Sequence, residues 1–109
     1  MATTRKVLGQ AAPAADTNTD LYTVPASTST VTSTLTVCNR GATTATFRVA
    51  VRPGGASLAN AHYLYYGVQL QTGDSFAATI GLTLAATDVV TVRGSTADLS
   101  FSLFGEETV

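Results

Sequence analysis

The sequence predicts an all-β fold, a single antiparallel β-sandwich of seven or eight strands. Apolar and polar residues alternate with a period of two over much of the chain, which is the pattern of strands with one buried face. Turn-forming Gly, Asn and Asp residues interrupt this alternation about every ten residues. No segment has a helical period. A chain of 109 residues with these features forms one domain.

The stretch from Ser29 to Pro53 predicts two long strands with a turn between Asn39 and Thr44. Each strand keeps its apolar residues on one parity: Val31, Leu35 and Val37 in the first, and Phe47, Val49 and Val51 in the second. The apolar sets of both strands can lie on one sheet face only if the turn fixes that register.

A row of threonines occupies the other parity of the first strand, at positions Thr30, Thr32, Thr34 and Thr36. A hydroxyl row repeating at about 7 Å can order water or ice. Ice binding, however, needs several such strands in a flat array, and the sequence contains one. We therefore interpret the row as the polar outer face of a strand with high β-propensity.

Shorter strands are expected on both sides of this pair. Lys6–Gln10 precedes an alanine-rich connector, and Leu21–Val24 suits a sheet edge because it is brief and closed by Pro25. Alternation resumes in four later segments, His62–Gln71, Phe76–Leu84, Asp88–Arg93 and Leu99–Leu103. In the first of these, Leu64, Tyr66, Val68 and Leu70 share one face, and Tyr63, Tyr65, Gln69 and Gln71 share the other.

These parities predict one core between the two sheets. Its expected members are Val31, Leu35, Val37, Phe47, Val49, Val51, Phe76, Ile80, Val90, Val92, Phe101 and Leu103. Five aspartates fall at turns or strand starts, where a carboxylate can accept local backbone N–H bonds: Asp16, Asp20, Asp74, Asp88 and Asp98. We expect them to form turns.

Residues 1–15 are predicted as an N-terminal arm or an edge strand with a connector, and residues 16–109 as the sandwich. An extended arm of this length reaches on the order of 45 Å, enough to contact a neighbouring subunit. One alternative is that the arm anchors the protein there, by adding a strand to a sheet edge or by placing Leu8 in an apolar groove. In the other, Lys6–Gln10 pairs inside its own sandwich with Leu99–Phe104.

Charged residues make up 12% of the chain, against roughly 25% in typical soluble domains. Free β-sheet proteins usually protect their exposed edges with charges. We infer that much of this surface contacts other chains. A net charge of -1 and a single lysine provide no basic patch for phosphates, which argues against a nucleic-acid partner.

The sequence contains no pattern that predicts an enzyme. His62 is the one histidine, and the chain has no GxSxG motif around a nucleophilic serine. The aspartates do not have the D-x-D-x-D spacing of a calcium loop. Cys38, the single cysteine, excludes an internal disulfide and a Cys/His metal site, and is expected to be a small buried hydrophobe. We therefore expect no catalytic residues, no metal and no cofactor.

No apolar run reaches 18 residues, and residues 1–10 lack the apolar centre of a signal peptide. The sequence therefore predicts no membrane partner, and a protein made and kept in the cytosol unless assembly carries it out.

Tyr63, Tyr65 and Tyr66 are the one aromatic cluster, and two of them take the less apolar face of their strand. Exposed tyrosine suits a protein interface or sugar stacking, because its ring supplies contact area and its hydroxyl keeps a hydrogen bond. Without tryptophan we favour the interface. The full set of interface candidates is Arg5, Lys6, Leu8, Arg48, Arg52, Tyr63 and Tyr65.

Several segments together resemble small structural proteins of tailed bacteriophages: KVLGQ, LYTVP, VCNRG, TFRVAVRP, HYLYY, IGLTLAATDVVTV and LSFSLFG. The resemblance covers most of the chain. It implies a virion β-sandwich, jelly-roll or immunoglobulin-like, of the capsid decoration (cement) or tail adaptor type. It carries over no catalytic motif.

From this resemblance we expect a capsid decoration protein that stabilises the head by bridging capsid subunits. Its partners would be the major capsid protein or other virion proteins, and it would be found in the virion after assembly in the host cytoplasm. A homo-oligomer is expected, with a trimer favoured because it would match quasi-threefold positions of a capsid lattice. Two alternatives remain: a tail, baseplate or fibre adaptor, and a carbohydrate-binding receptor module.

Overall fold

The computed structural model describes residues 2–109. These residues form nine β-strands in two antiparallel sheets that pack together, so the all-β prediction is confirmed. The strands are β1 Thr3–Ala11, β2 Thr19–Thr23, β3 Ser29–Asn39, β4 Ala45–Arg52, β5 Tyr63–Leu70, β6 Ser75–Ala78, β7 Thr83–Leu84, β8 Val89–Gly94 and β9 Leu99–Thr108. Two 3-10 turns, Pro53–Gly55 and Asn60–His62, lie between β4 and β5. Within the described range there is no helix that could span a membrane.

The five-stranded sheet has the order β1-β9-β3-β6, and β7 pairs with β3 beyond the end of β6. The four-stranded sheet has the order β2-β8-β4-β5. The count exceeds the predicted seven or eight because the segment Phe76–Leu84 is broken in two. In the gap, the Thr32 hydroxyl donates to the carbonyl of Ile80 and accepts from the N–H of Leu82, at 2.7 and 2.9 Å.

β3 and β4 lie in different sheets, so the prediction that their apolar residues share one sheet face is wrong. Residues 40–44 cross between the sheets. Asn39 shapes this corner, because its buried amide donates to the carbonyls of Thr43 and Leu70 and its side-chain oxygen accepts from the N–H of Gly41. Each strand then buries its apolar face against the other sheet. This arrangement agrees with the same alternation of apolar and polar residues that the sequence shows in both strands.

The core lies between the sheets and contains most of the predicted residues: Leu35, Val37, Phe47, Val49, Val90, Val92, Phe101 and Leu103 are buried. Val51, Phe76 and Ile80 are partly buried against it. β2 adds Leu21 and Tyr22, and Val24 follows directly after it. β7 adds Leu84, and β9 adds Leu99.

Val31 is the predicted core residue that the structure places outside, with 44% of its surface exposed. β3 contains one extra residue, Ser33, where the register against β9 shifts between Thr32 and Thr34. A one-residue bulge reverses the faces of the strand beyond it. Thr30 and Thr32 are therefore buried, and the interpretation of the threonine row as an outer face is wrong for these two.

A second bulge lies on β1, where Leu8 is the extra residue between Val7 and Gly9. The two bulges lie on either side of Phe104 of β9, the first opposite Leu103 and Phe104 and the second opposite Phe104 and Gly105. A Cβ atom at Gly105 would lie 2.4 Å from the carbonyl oxygen of Val31, so this position requires glycine for the close approach of the two backbones.

β5 carries a further irregularity at Gly67, which has a φ of 71°. Beyond this point the faces reverse, so Tyr65 lies on the buried side with Val68 and Leu70, and Leu64 and Tyr66 are exposed. The predicted division of this strand into two faces is therefore wrong for Tyr65, Leu64 and Tyr66.

The N-terminal segment forms an edge strand of its own sheet. β1 pairs antiparallel with β9 from Thr3 opposite Thr108 to Ala11 opposite Phe101. Of the two alternatives for this segment, the structure contains the pairing with the closing strand. β9 also continues past Gly105 to Thr108, beyond the predicted last core face, because β1 and β3 pair with it on both sides there.

Candidate functional site on the outer sheet faces

The outer face of the five-stranded sheet has an exposed apolar cleft at the level of the two bulges. Its volume is about 320 Å³, and its lining residues are Arg5, Lys6, Val31, Thr32, Ser33, Phe104, Gly105 and Glu106. Val7, which is opposite Phe104 in the β1–β9 register, is also exposed. The bulges produce this cleft, because the bulge at Leu8 turns Val7 outward and the bulge at Ser33 turns Val31 outward, while the chain on either side remains in the sheet.

One pair of opposite charges borders the cleft. The Arg5 Nε atom lies 3.6 Å from the Glu106 Oε2 atom, and the two side chains are 90% and 38% exposed. An ion pair this exposed contributes little to stability. Both charges are therefore available to a partner that covers the cleft.

A buried polar network lies on the inner side of the same sheet region. The Tyr22 hydroxyl donates to Glu107 Oε2 at 2.5 Å and lies 2.8 Å from the Thr30 hydroxyl. Lys6 Nζ lies 3.1 Å from Glu107 Oε1. These four residues lie on β1, β3 and β9 of the five-stranded sheet and on β2 of the four-stranded sheet, so the network links the two sheets behind the cleft.

The network shifts two pKa values in opposite directions. Burial, followed by the hydrogen bond to Glu107, raises the pKa of Tyr22 to about 12. The hydrogen bond from Tyr22 is the largest influence on the Glu107 carboxyl and holds its pKa below the usual 4.5, with Lys6 acting in the same direction.

Stability should therefore fall at both ends of the pH range. Because the folded pKa of Tyr22 is raised, its contribution is present below pH 10 and is lost towards pH 12, a loss of about 2–3 kcal/mol. Because the folded pKa of Glu107 is lowered, its contribution to stability is present above about pH 4.5 and is lost as the pH falls through the pKa of the folded state. Urea unfolding across a pH series measures both.

Tyr22→Phe should flatten both limbs of that profile, since it removes the phenol and the main hydrogen bond to Glu107. The matched control is Tyr63→Phe, because Tyr63 lies on β5, at the opposite edge of the four-stranded sheet from β2, and should leave the profile unchanged. Parallel profiles for the wild type and Tyr22→Phe above pH 10 would contradict the role assigned to the network.

A second exposed cluster lies on the outer face of the four-stranded sheet. The rings of Tyr63 and Tyr66 meet edge to face with centroids 4.9 Å apart, and the guanidinium carbon of Arg48 lies 4.2 Å from the Tyr66 centroid. Tyr66 is 62% exposed, and Leu64 beside it is also exposed. Tyrosine and arginine are the residues most often found at the energetic centres of protein interfaces.

The predicted interface residues divide into four groups. Arg5 and Lys6 line the cleft, and Arg48 and Tyr63 belong to the aromatic cluster. Leu8 is partly buried against the core. Arg52 and Tyr65 make contacts within the domain.

The Arg52 side chain is only 17% exposed and binds Asp20, the Thr91 hydroxyl and two backbone carbonyls. Tyr65 packs edge to face on Phe76, with ring centroids 5.2 Å apart. The expectation that Tyr65 takes the less apolar face is therefore wrong, because the irregularity at Gly67 reverses that strand.

Sequence reasoning missed the apolar residues of the cleft and the most exposed tyrosine: Val7, Val31, Phe104 and Tyr66. The alternation assigned Val31 and Tyr66 to faces that the bulges reverse. Gly67 and Gly105 were the available signals, because a glycine inside a strand pattern often marks a bulge or a close backbone approach.

The remaining polar candidates make local contacts. The His62 Nδ1 atom accepts from the N–H of Ala59. Asp88 accepts from the N–H groups of Gly54 and Ala85, and Asp74 from that of Ser75, as expected for turn residues. Cys38 is half-buried on the outer parity of β3, not in the core, because it alternates with the buried Val37.

No family model matches the chain, and no curated protein does. Among residues 2–109, no group of three or more His, Cys, Asp or Glu side chains is placed to hold a metal ion.

Proposed function

We propose that the domain is a jelly roll. When β6 and β7 are counted as one interrupted strand, the chain has eight strands, and the first pairs with the last, the second with the seventh, the third with the sixth and the fourth with the fifth. This is a long antiparallel hairpin folded over itself, closed by the β3–β9 and β4–β8 pairs. A jelly roll has this arrangement, with eight strands that form two Greek keys. The immunoglobulin order, which pairs the first strand with the second, does not fit.

We further propose that this is a non-enzymatic virion structural protein of a tailed bacteriophage, and specifically a capsid decoration protein that bridges capsid subunits. The observation that carries the proposal is the pair of exposed surfaces on opposite faces of one small domain, the apolar cleft on one sheet and the Tyr63–Tyr66–Arg48 cluster on the other. A domain with a contact surface on each face can join two partners. Jelly rolls occur in viral capsids, and that analogy agrees with the sequence resemblance.

The partners in this proposal are the major capsid protein or other virion proteins. The location is the virion, assembled in the host cytoplasm. The trimer favoured by lattice symmetry stays a prediction.

The proposal is tested on purified particles of the virus that encodes this chain. Mass spectrometry should find the protein at a copy number of the same order as the major capsid protein. Val31→Asp in the cleft and Tyr66→Ser in the cluster should each lower its occupancy several-fold, because each introduces a mismatch at one contact surface. Ser102→Ala, on the cleft face of β9 but outside the cleft lining, is the control and should leave occupancy unchanged.

A protein that is absent from the particles would contradict the virion role. Full occupancy in both surface variants would contradict the bridging surfaces. A few copies per particle, located at the tail by electron microscopy, would instead favour the tail, baseplate or fibre adaptor.

The carbohydrate-binding receptor module is supported by one observation, the exposed Tyr63–Tyr66 pair, whose rings offer faces and edges on which a sugar can stack. A glycan array separates this function from the first. Specific glycan binding that is lost in Tyr66→Ser would favour the receptor module.

A further inference from the structure

The outer face of the five-stranded sheet carries two register pairs along the seam between β1 and β9. Arg5 is opposite Glu106, and Val7 is opposite Phe104. Each pair couples partners that attract each other, a cation with an anion in the first and two apolar side chains in the second. The exposed surface around this seam is therefore complementary to itself.

We propose that this face binds a second copy of the chain, with a twofold axis that runs along the β1–β9 seam. Such an axis places β1 of one copy over β9 of the other at the same height. Arg5 then faces Glu106 of the second copy, and Val7 faces its Phe104. An isologous contact needs this kind of self-complementarity, because the same patch serves both subunits.

The rest of the face permits close approach. Beyond the cleft, the outward positions of β9 are the small residues Ser100 and Ser102. Two sheets that stack face to face lie about 10 Å apart, a distance at which long side chains would interfere. On β1 the outward Gln10 bonds to the Ser102 hydroxyl at 3.3 Å.

The overlap between the two copies is small. In the sheet order β1-β9-β3-β6, an axis along the β1–β9 seam superposes only β1 and β9 on their counterparts. Two strands about 4.8 Å apart and about ten residues long, at about 3.4 Å per residue, give a projected overlap of roughly 330 Å². A stable interface of standard size buries about 800 Å² on each partner. We therefore expect a weak dimer that dissociates on dilution.

In this contact the second copy is the partner at the cleft face, so the dimer presents one Tyr63–Tyr66–Arg48 cluster at each end to capsid subunits. The contact specifies the homo-oligomer of the proposed function and rests on that function for its biological purpose. It differs from the threefold arrangement expected from lattice symmetry. Particle occupancy and association in solution are separate measurements, so one can fail without the other. A monomeric protein that still fills its sites on particles overturns the twofold contact alone, whereas a dimeric protein absent from particles overturns the virion role alone.

The test is sedimentation equilibrium of the full chain from micromolar to millimolar concentration, with a reductant present so that Cys38 cannot cross-link copies. The wild type should be a reversible dimer. Arg5→Glu and Glu106→Arg should each raise the dimer Kd roughly tenfold or more, because each places like charges opposite one another across the axis. The double variant Arg5→Glu/Glu106→Arg should restore the Kd to near the wild-type value.

The matched control is Arg48→Glu on the opposite face, which should leave the Kd unchanged. Circular dichroism verifies the fold of each variant, and Val7→Ser, which should also raise the Kd, provides a change without charge reversal. A wild type that is monomeric throughout or trimeric, single variants with the wild-type Kd, or equal weakening by Arg48→Glu would each overturn the proposal.

Discussion

Replacing Phe47 by alanine should lower the free energy of unfolding by about 3–5 kcal/mol. Phe47 is 1% exposed and lies at the centre of an aromatic group, with ring centroids at 5.2 Å from Phe76 and 6.3 Å from both Tyr65 and Phe101. These rings come from β4, β5, β6 and β9, so the cavity would open between the two sheets. For a small domain this loss is a large part of its stability.

Denaturant unfolding measures this effect, and Phe104→Ala is the control. Phe104 is the same residue type on the outer face of β9, where it lines the cleft, so its truncation should cost about 1 kcal/mol. An unchanged midpoint for Phe47→Ala, or an equal loss for both variants, would mean that Phe47 does not occupy the inter-sheet core.

Replacing Gly9 by alanine should be nearly as damaging, at about 3 kcal/mol or more. A Cβ atom at Gly9 would lie 2.0 Å from the carbonyl oxygen of Leu21, and that oxygen belongs to the backbone of β2 in the opposite sheet. No side-chain rotation can relieve this contact. The edges of the two sheets must separate, which would disturb the burial of Leu21 and Tyr22.

Gly81→Ala is the matched glycine control. A Cβ atom there would meet nothing closer than 3.9 Å, and its φ lies outside the left-handed region. Its unfolding free energy should change by less than about 1 kcal/mol, in the stabilising direction, because alanine restricts the unfolded chain. The same small change in Gly9→Ala would show that β1 and β2 do not approach each other this closely.

The site was less predictable than the core, and the residues show why. Arg5 and Arg48 were predicted as surface contacts and lie in the two exposed surfaces. Val31 and Tyr66, the apolar and aromatic residues beside them, were assigned to the wrong faces. Alternation is a local signal, and one inserted residue in a strand reverses it without changing the composition of the segment.

The amino-acid sequence by itself determined that this is an all-β protein, where most of its strands lie, and that residues such as Phe47, Val49 and Phe101 form its core. These properties follow from the period of the side chains along a strand, which each segment carries on its own. The tertiary structure alone decided that β3 and β4 separate into opposite sheets, that β1 pairs with β9, and that the bulges at Leu8 and Ser33 expose Val7 and Val31. Those outcomes depend on hydrogen bonds and close contacts between strands that are distant along the chain, such as that of Gly105 with Val31, which no local pattern encodes.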